Sequence, residues 1–292
     1  MFSDIKDGVL QGGISIETDV AIPEGVIEIG CGAFAYLNSS CRSITIPDSV
    51  TSIGERAFLL CESLERITIP KYISKIGNNA FYSCYSLQYI KVADENTHFC
   101  DVDGVLYNAE KTELIRYPSS HSGDCYTIPD GVETIADGAF QCCEKLKSVT
   151  IPKSVTKIGQ CAFLFCSKLE KIDIPNGVGK IEYNAFGFCK NLVKISLPKK
   201  LKIIGQDAFV SCESLERVRL PRGVSELEVG AFSNCKSLKK VTLPKTLKKI
   251  GARAFCGCYA LGPVKIPDSV TEIGANAFVI DDPAEYDMDD KW

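Results

Sequence analysis

Fifteen cysteines and two histidines are the side chains of this 292-residue sequence best suited to metal binding or nucleophilic chemistry. Four of them cluster, in His98-Phe99-Cys100 and His121-Ser122-Gly123-Asp124-Cys125. Imidazole and thiolate would serve zinc, and a thiol beside an imidazole can be activated as a nucleophile. The spacing matches no standard zinc finger, so we expect neither a metal site nor a Cys100 or Cys125 nucleophile here. Two histidines also leave little room for further acid–base centres. The phosphate-binding G-x-x-x-x-G-K-[ST], the nucleophile elbow G-x-S-x-G, the zinc helix H-E-x-x-H and the spaced C-x-x-C pair do not occur in the sequence. No catalytic residue and no cofactor is therefore expected, and the chain reads as a non-enzyme.

The elements that carry the cysteines follow from their phase. Eight share one beat: Cys61, Cys84, Cys143, Cys166, Cys189, Cys212, Cys235 and Cys258. Prolines keep the same beat at Pro23, Pro47, Pro70, Pro129, Pro152, Pro175, Pro198, Pro221, Pro244 and Pro267, with spacings of 24, 23, 59 and then 23. Phenylalanines follow at Phe34, Phe58, Phe81, Phe140, Phe163, Phe186, Phe209, Phe232, Phe255 and Phe278. The unit reads L-x-x-I-x-I-P-x-x-V-x-x-I-G-x-x-A-F-x-x-C-x-x, as from Leu64 to Cys84 and beyond. Length alone suggests two domains of roughly 150 residues. The repeat replaces that with ten or eleven coils of one elongated domain, on the order of 50 Å long at a coil spacing of roughly 4.8 Å. A composition 45% apolar and 24% charged fits a packed chain rather than a disordered one.

Within a coil, Ile67 and Ile69 point to one side of a short strand, which Pro70 stops because it lacks a ladder donor. Ile73 and Ile76 begin a second buried edge, and Gly77 lets the chain turn. Ala136, Glu182 and Glu228 replace that glycine, which suggests a position facing outward in some coils. The three-residue step from Phe81 to Cys84 predicts one helical or 3₁₀ turn. One coil cannot bury these residues alone, whereas stacked coils can. In-register cysteines would then stand about 4.8 Å apart with parallel Cβ vectors, against the roughly 3.5–4.5 Å a disulfide needs. We therefore expect a ladder of reduced, buried thiols. Cys41 takes the leucine place of a strand and is expected in the core.

The unit resembles the leucine-rich repeat of the BspA-like (Treponema pallidum) class over roughly residues 21–280. The resemblance implies an α/β solenoid: a right-handed, curved stack of parallel short strands with 3₁₀ or short helical turns. Surface proteins of oral and gut bacteria and of some parasitic protists are typical of that class, with adhesion and host-protein binding as their roles. A D-G-V-L-Y insertion also recurs in it, as in Asp103-Gly104-Val105-Leu106-Tyr107 here.

The segments expected are a cap hairpin over residues 1–20, repeats over 21–92, an inserted β-hairpin over 93–127, repeats over 128–280 and an acidic tail over 281–292. The gap from Pro70 to Pro129 equals one 23-residue coil plus 36 residues. In the insertion two β-rich runs flank the Asn108-Ala109-Glu110-Lys111 turn, and in the cap Gly12-Gly13 reads as the hairpin turn. Met1 to Asp7 shows no basic region followed by an apolar core, and no apolar run approaches the roughly 18 residues of a membrane helix, so no membrane insertion is expected. Unpaired thiols fit the cytoplasm, whereas a trimmed leader would fit a cell-surface or secreted protein; both stay open.

Charge is the remaining lead. Residues 1–63 hold 3 basic and 9 acidic side chains, residues 190–253 hold 15 and 5, and residues 279–292 hold 1 and 6. Lys194, Arg217, Arg219 and Lys240 fall at outward strand positions, with Lys199, Lys200, Arg222, Lys245, Lys248 and Lys249 beyond the prolines or before the I-G turn. Aligned coils would gather these into columns and a field of several kT at low salt. The expected partner surface is thus the outward row of Arg66, Thr68, Tyr89, Lys91, Lys171, Asp173, Lys194, Ser196, Arg217, Arg219, Lys240 and Lys265. It suits a protein ligand with acidic groups, or an anionic glycan, on a concave or edge surface. A solvated face without a ligand, and a recognition module of a larger protein, are the alternatives. Nucleic acid is disfavoured, because the basic stretch offers no outward aromatic for base stacking.

Overall fold

The structure, a computed structural model, describes residues 4–12, 17–37 and 40–279. Contacts divide the chain into two compact units, Met1–Asp124 with Pro129–Lys145, and Cys125–Ile128 with Leu146–Trp292. Both are β-solenoid stacks of parallel strands, with about 11 turns along the chain. Each coil supplies a first strand, such as Arg66–Ile69, and after its proline a second, such as Lys75–Ile76. In the first unit Asp19–Ala21, Ser43–Thr45, Arg66–Ile69 and Tyr89–Val92 form one parallel ladder. In the second, Cys125–Thr127, Ser148–Thr150, Lys171–Asp173 and Lys194–Ser196 form another, and Arg217–Arg219 with Lys240–Thr242 a third. Alternate residues of each strand are buried, which is the period-2 pattern that the sequence predicts.

The third side of the coil departs from expectation. No helix occurs among the described residues, and the Ala-Phe-x-x-Cys segment is not a helical or 3₁₀ turn. Residues two before and two after the phenylalanine are left-handed, as in Arg56 (φ 53°) and Leu60 (φ 56°). They interrupt the right-handed run that a helix needs. Instead, N–H groups of Arg56, Phe58 and Leu60 donate to Asn78, Ala80 and Tyr82 of the following coil, at 3.1, 2.8 and 2.9 Å. The intervening Ala57, Leu59 and Cys61 donate within the coil to the third residue back. Phe rings of successive coils stack at 5.1 to 5.5 Å from Phe34 to Phe81 and from Phe163 to Phe278, as for Phe34–Phe58 and Phe209–Phe232. At Gly77 an added Cβ would lie 2.3 Å from the Glu55 nitrogen of the preceding coil, so that glycine serves close backbone approach. Glu182 and Glu228, at the equivalent place, are half-buried and reach sideways to Lys180.

The thiol ladder is present, and its members do more than fill space. All eight in-phase cysteines are buried and all fifteen are free. Cys61, Cys84, Cys189, Cys212, Cys235 and Cys258 each donate from Sγ to the carbonyl of the preceding coil's phenylalanine, at 3.1 to 3.2 Å. Burial pushes the Cys189, Cys212 and Cys235 thiols up from their ordinary value. Cys41 is also buried.

The interrupted coil is rebuilt from distant pieces. Glu113–Arg116 pairs in parallel with Thr134–Ile135, so it is that coil's second strand. Tyr117 then takes the phenylalanine place, stacking on Phe140 at 5.1 Å and donating from its N–H to Ala139. The inserted sheet holds three strands: Phe99–Val102, Val105–Asn108 and Glu113–Arg116, all antiparallel. Residues Asp103-Gly104 close its first turn with φ of 50° and 81°. Asp7-Gly8 do the same, at 51° and 79°, between Asp4–Lys6 and Val9–Gly12. The N-terminal hairpin therefore turns at Asp7-Gly8 and not at Gly12-Gly13, because both central residues of a type I′ turn need positive φ, which Asp-Gly accepts. Gly13 and the acidic segment 281–292 lie outside the described residues.

Candidate functional site

The outward row of the second unit is built by its parallel register. Lys171 stands beside Lys194 and Asp173 beside Ser196 in one ladder; Arg217 stands beside Lys240 and Arg219 beside Thr242 in the next. Their neighbours Ile172, Val218 and Val241 point into the core, which forces the charged residues outward. All of Lys171, Asp173, Lys194, Ser196, Arg217, Arg219 and Lys240 are exposed. Ser196 donates its hydroxyl to Asp173. Lys171, Lys194, Arg217, Arg219 and Lys240 form no ion pair among the described residues.

Acids of this unit are engaged elsewhere. Glu213 meets Lys236 at 3.3 Å, Glu216 meets Lys239 at 2.9 Å and Glu226 meets Lys249 at 3.1 Å, each across one coil step. Lys239 holds the Glu216 carboxyl below its ordinary value, and Glu226 holds Lys249 above. Lys180 is raised in the same way by Glu182. Like charges directly abreast on neighbouring strands are unfavourable. The strand face thus carries five cations beside Asp173, while Glu213, Glu216 and Glu226 pair on the flanking columns.

In the first unit the expected residues are treated differently. Arg66 pairs in register with Tyr89, and Thr68 with Lys91, all four exposed. The insertion then claims two of them. Tyr89 packs over Gly104 and donates from its hydroxyl to Asp101 at 3.3 Å. Lys91 meets Asp101 at 3.4 Å and Asp94 at 3.7 Å, which raises its pKa. Asp101 also accepts the Val92 N–H at 2.7 Å. These side chains hold the insertion against the coil.

Lys265 does not sit on a strand as expected. Residues 261–267 carry no strand, because Pro263 falls where the repeat would pair with Lys240 and has no N–H to give. The clustered histidines and cysteines also separate in role. His98 meets the Thr97 hydroxyl at 3.2 Å and Cys100 donates to the Asn108 carbonyl. His121 lies against Tyr117 and the Asp103 carbonyl, and Cys125 opens a strand that pairs with Ser148–Thr150. Among the described residues no three His, Cys, Asp or Glu side chains are placed to hold a metal. Sequence reasoning missed Arg116, which is buried and donates to Gly138 O at 2.7 Å, Ser119 Oγ at 2.7 Å and Gln141 O at 3.2 Å, tying the inserted sheet to the next coil.

Two strands per coil, a proline after the first and a stacked Phe–Cys edge define a leucine-rich-repeat solenoid. The chain belongs to the BspA type leucine rich repeat region family, whose six-copy pattern matches residues 3–123, 119–239 and 160–282. It is similar to a leucine-rich repeat protein from Eubacterium ventriosum, with 27% identity and a TM-score of 0.75, over 90% of this chain and 82% of that one. It is also similar to a leucine rich cell surface protein from Faecalibacterium prausnitzii, with 31% identity and a TM-score of 0.62. A third likeness is to the pneumococcal vaccine antigen PcpA, with 26% identity and a TM-score of 0.61. The chain is matched over 90% in both cases and spans 63% and 60% of those two proteins. Comparison with curated proteins returns no match. No helix among the described residues is long and apolar enough to cross a membrane.

Proposed function

We propose that the chain is a non-enzymatic binding module whose basic strand face receives an acidic protein surface. The observation that carries this reading is the set of exposed cations, Lys171, Lys194, Arg217, Arg219 and Lys240, with no ion pair among the described residues and like charges abreast. Such a row supplies long-range attraction and orientation to an acidic partner rather than a pocket for a small substrate. Outward positions of these strands carry no aromatic ring, so base stacking has no platform there. An anionic glycan is the runner-up ligand. A cell-surface setting is supported by the likeness to the F. prausnitzii surface protein and the pneumococcal antigen.

Polyglutamate and heparin titrations across a salt series test the reading. Polyglutamate is expected to bind more weakly as salt rises, and Arg217→Glu with Arg219→Glu and Lys240→Glu to weaken it by about tenfold or more. Unchanged affinity in the triple variant would remove the strand face from consideration, and heparin binding without polyglutamate binding would move the reading to a glycan.

A further inference from the structure

Lys240–Thr242 is one of the two free edges of its two-stranded ladder. It pairs on one side with Arg217–Arg219 in the register Arg217 with Lys240, Val218 with Val241 and Arg219 with Thr242. In some coils the residue after a strand donates onward, Ile174 N–H to Ser196 O at 3.0 Å and Leu220 N–H to Thr242 O at 3.1 Å, whereas Ile151 and Leu197 make no such bond among the described residues. The same step from Leu243 would reach the Lys265 carbonyl, and no such bond forms among the described residues. At the place of Lys240, whose N–H reaches Glu216 O at 3.4 Å, the following segment carries Pro263, which has no donor to give. That segment stays attached at its start through Gly262 N–H to Lys239 O at 3.3 Å, then parts from the edge.

An open cleft of about 780 Å³ results, lined by Lys240, Val241, Leu243, Lys245, Lys265 and Ile266 among others. Its volume falls in the range of ligand clefts, roughly 300–1,000 Å³. Lys239 is tied to Glu216, whereas Lys240, Lys245 and Lys265 form no ion pair among the described residues. Asp268 is the one acidic side chain in the lining. Ile266 is 40% exposed, an apolar floor beside the cations.

We propose that this cleft takes an extended acidic peptide segment of a partner protein, which adds a strand to the Lys240–Thr242 edge and sets its carboxylates against Lys240, Lys245 and Lys265. The inference rests on the reading of the basic face as a binding surface and adds the docking edge and the backbone form of the ligand. An unpaired strand edge is complementary to another peptide backbone at the same residue rise, which a polysaccharide lacks. The lysines select acidic side chains. A strand presents alternate residues to opposite faces, so acids at every second position meet the lysines while apolar ones meet Ile266.

The probe is a fluorescein-labelled decapeptide of alternating Asp and Val, titrated by anisotropy into the full chain. A second probe has the same sequence with alternate amides N-methylated, which keeps the charge and removes donors. The unmodified peptide is expected to bind, and to weaken by about tenfold on methylation and by about tenfold with Lys245→Glu plus Lys265→Glu. Both lysines are exposed, and circular dichroism confirms that the variant folds. Equal affinity of the two peptides overturns strand addition. A heparin fragment that binds where the peptide does not overturns the ligand class. Peptide binding that appears only after residues 281–292 are removed assigns the cleft to the chain's own acidic segment and overturns the separate partner. Loss on Arg217→Glu with Arg219→Glu but not on the lysine changes overturns the cleft and keeps the wider reading. Loss on the lysine changes alone supports the cleft where the wider reading fails.

Discussion

Tyr89–Val92 and Arg217–Arg219 occupy the same place in their coils, and each turns two polar side chains outward. On the first, Lys91 and Tyr89 are held by Asp101 of the insertion, whose side chain is only 6% exposed. On the second, Arg217 and Arg219 form no ion pair among the described residues, and the strand abreast brings another cation, Lys240. The repeat position determines only that a side chain faces outward. Whether it serves the fold or a partner depends on what sits against it. The insertion gives two outward positions of the first unit a structural partner.

The cores should not share this difference. Phe58→Ala and Phe209→Ala remove the same stacked ring from the two units, and each is expected to cost about 3–5 kcal/mol in urea unfolding. A gap of more than about 2 kcal/mol between them would break the claim that both units obey one packing rule. Gly104→Ala acts on the first unit alone. Its φ of 81°, and the 2.3 Å at which an added Cβ would meet the Tyr89 ring, predict a loss of roughly 1–3 kcal/mol, with peptide and polyanion binding untouched.

Buried thiols give a pH test of the second core. A thiol held above its ordinary 9.0 stays protonated in the fold while the unfolded chain ionises, so stability falls as pH rises past 9.0. Each such group contributes about 1.4 kcal/mol per pH unit, and Cys212→Ala should flatten the slope by that amount in reductant. An unchanged slope would sink the ladder's role in alkaline unfolding.

The smallest effect separates the two faces most directly. Lys194→Glu replaces a like-charge neighbour of Lys171 with an opposite one and should stabilise by about 0.2–1 kcal/mol. Lys91→Glu, facing Asp101, should lower the thermal midpoint instead. The Lys91 contribution is complete below the ordinary lysine value of 10.5 and is lost as pH rises through its raised folded value, so Lys91→Met and the parent chain should converge above it. Shifts of the same sign in both reversals would erase the contrast.

Much of this was legible because the proline and phenylalanine phases are rigid requirements of stacking. Three features were not read correctly, for distinct reasons. Helical turns and the observed Phe–Cys edge share a three-residue step, so spacing alone could not separate them. The distinguishing signal lies two residues before the phenylalanine, where Gly32, Asn79, Gly138, Asn184, Asp207, Gly230 and Asn276 are types that accept the left-handed region. At the N-terminus Gly12-Gly13 drew attention from Asp7-Gly8, the stronger hairpin pair. Lys265 was placed by phase although Pro263 breaks the strand it needed. Tyr89 and Lys91 were read as outward, but their hold on Asp101 was not, since Asp101 lies in the one segment without a repeat to align it.

The Phe–Cys edge has a sense of direction. Along it the N–H groups of Arg56, Phe58 and Leu60 face the following coil, and the carbonyls of Glu55, Ala57 and Leu59 accept from the preceding one. Donors thus always look one way along the chain and acceptors the other. A coil can be inserted or removed only as a whole unit, because a one-residue slip would set carbonyl against carbonyl on this edge and reverse both strands' faces at once. Within residues 146–279, excising 23 residues closes the ladder and excising 22 does not. Such an array grows and shrinks by counting, and its grammar tolerates no fractions.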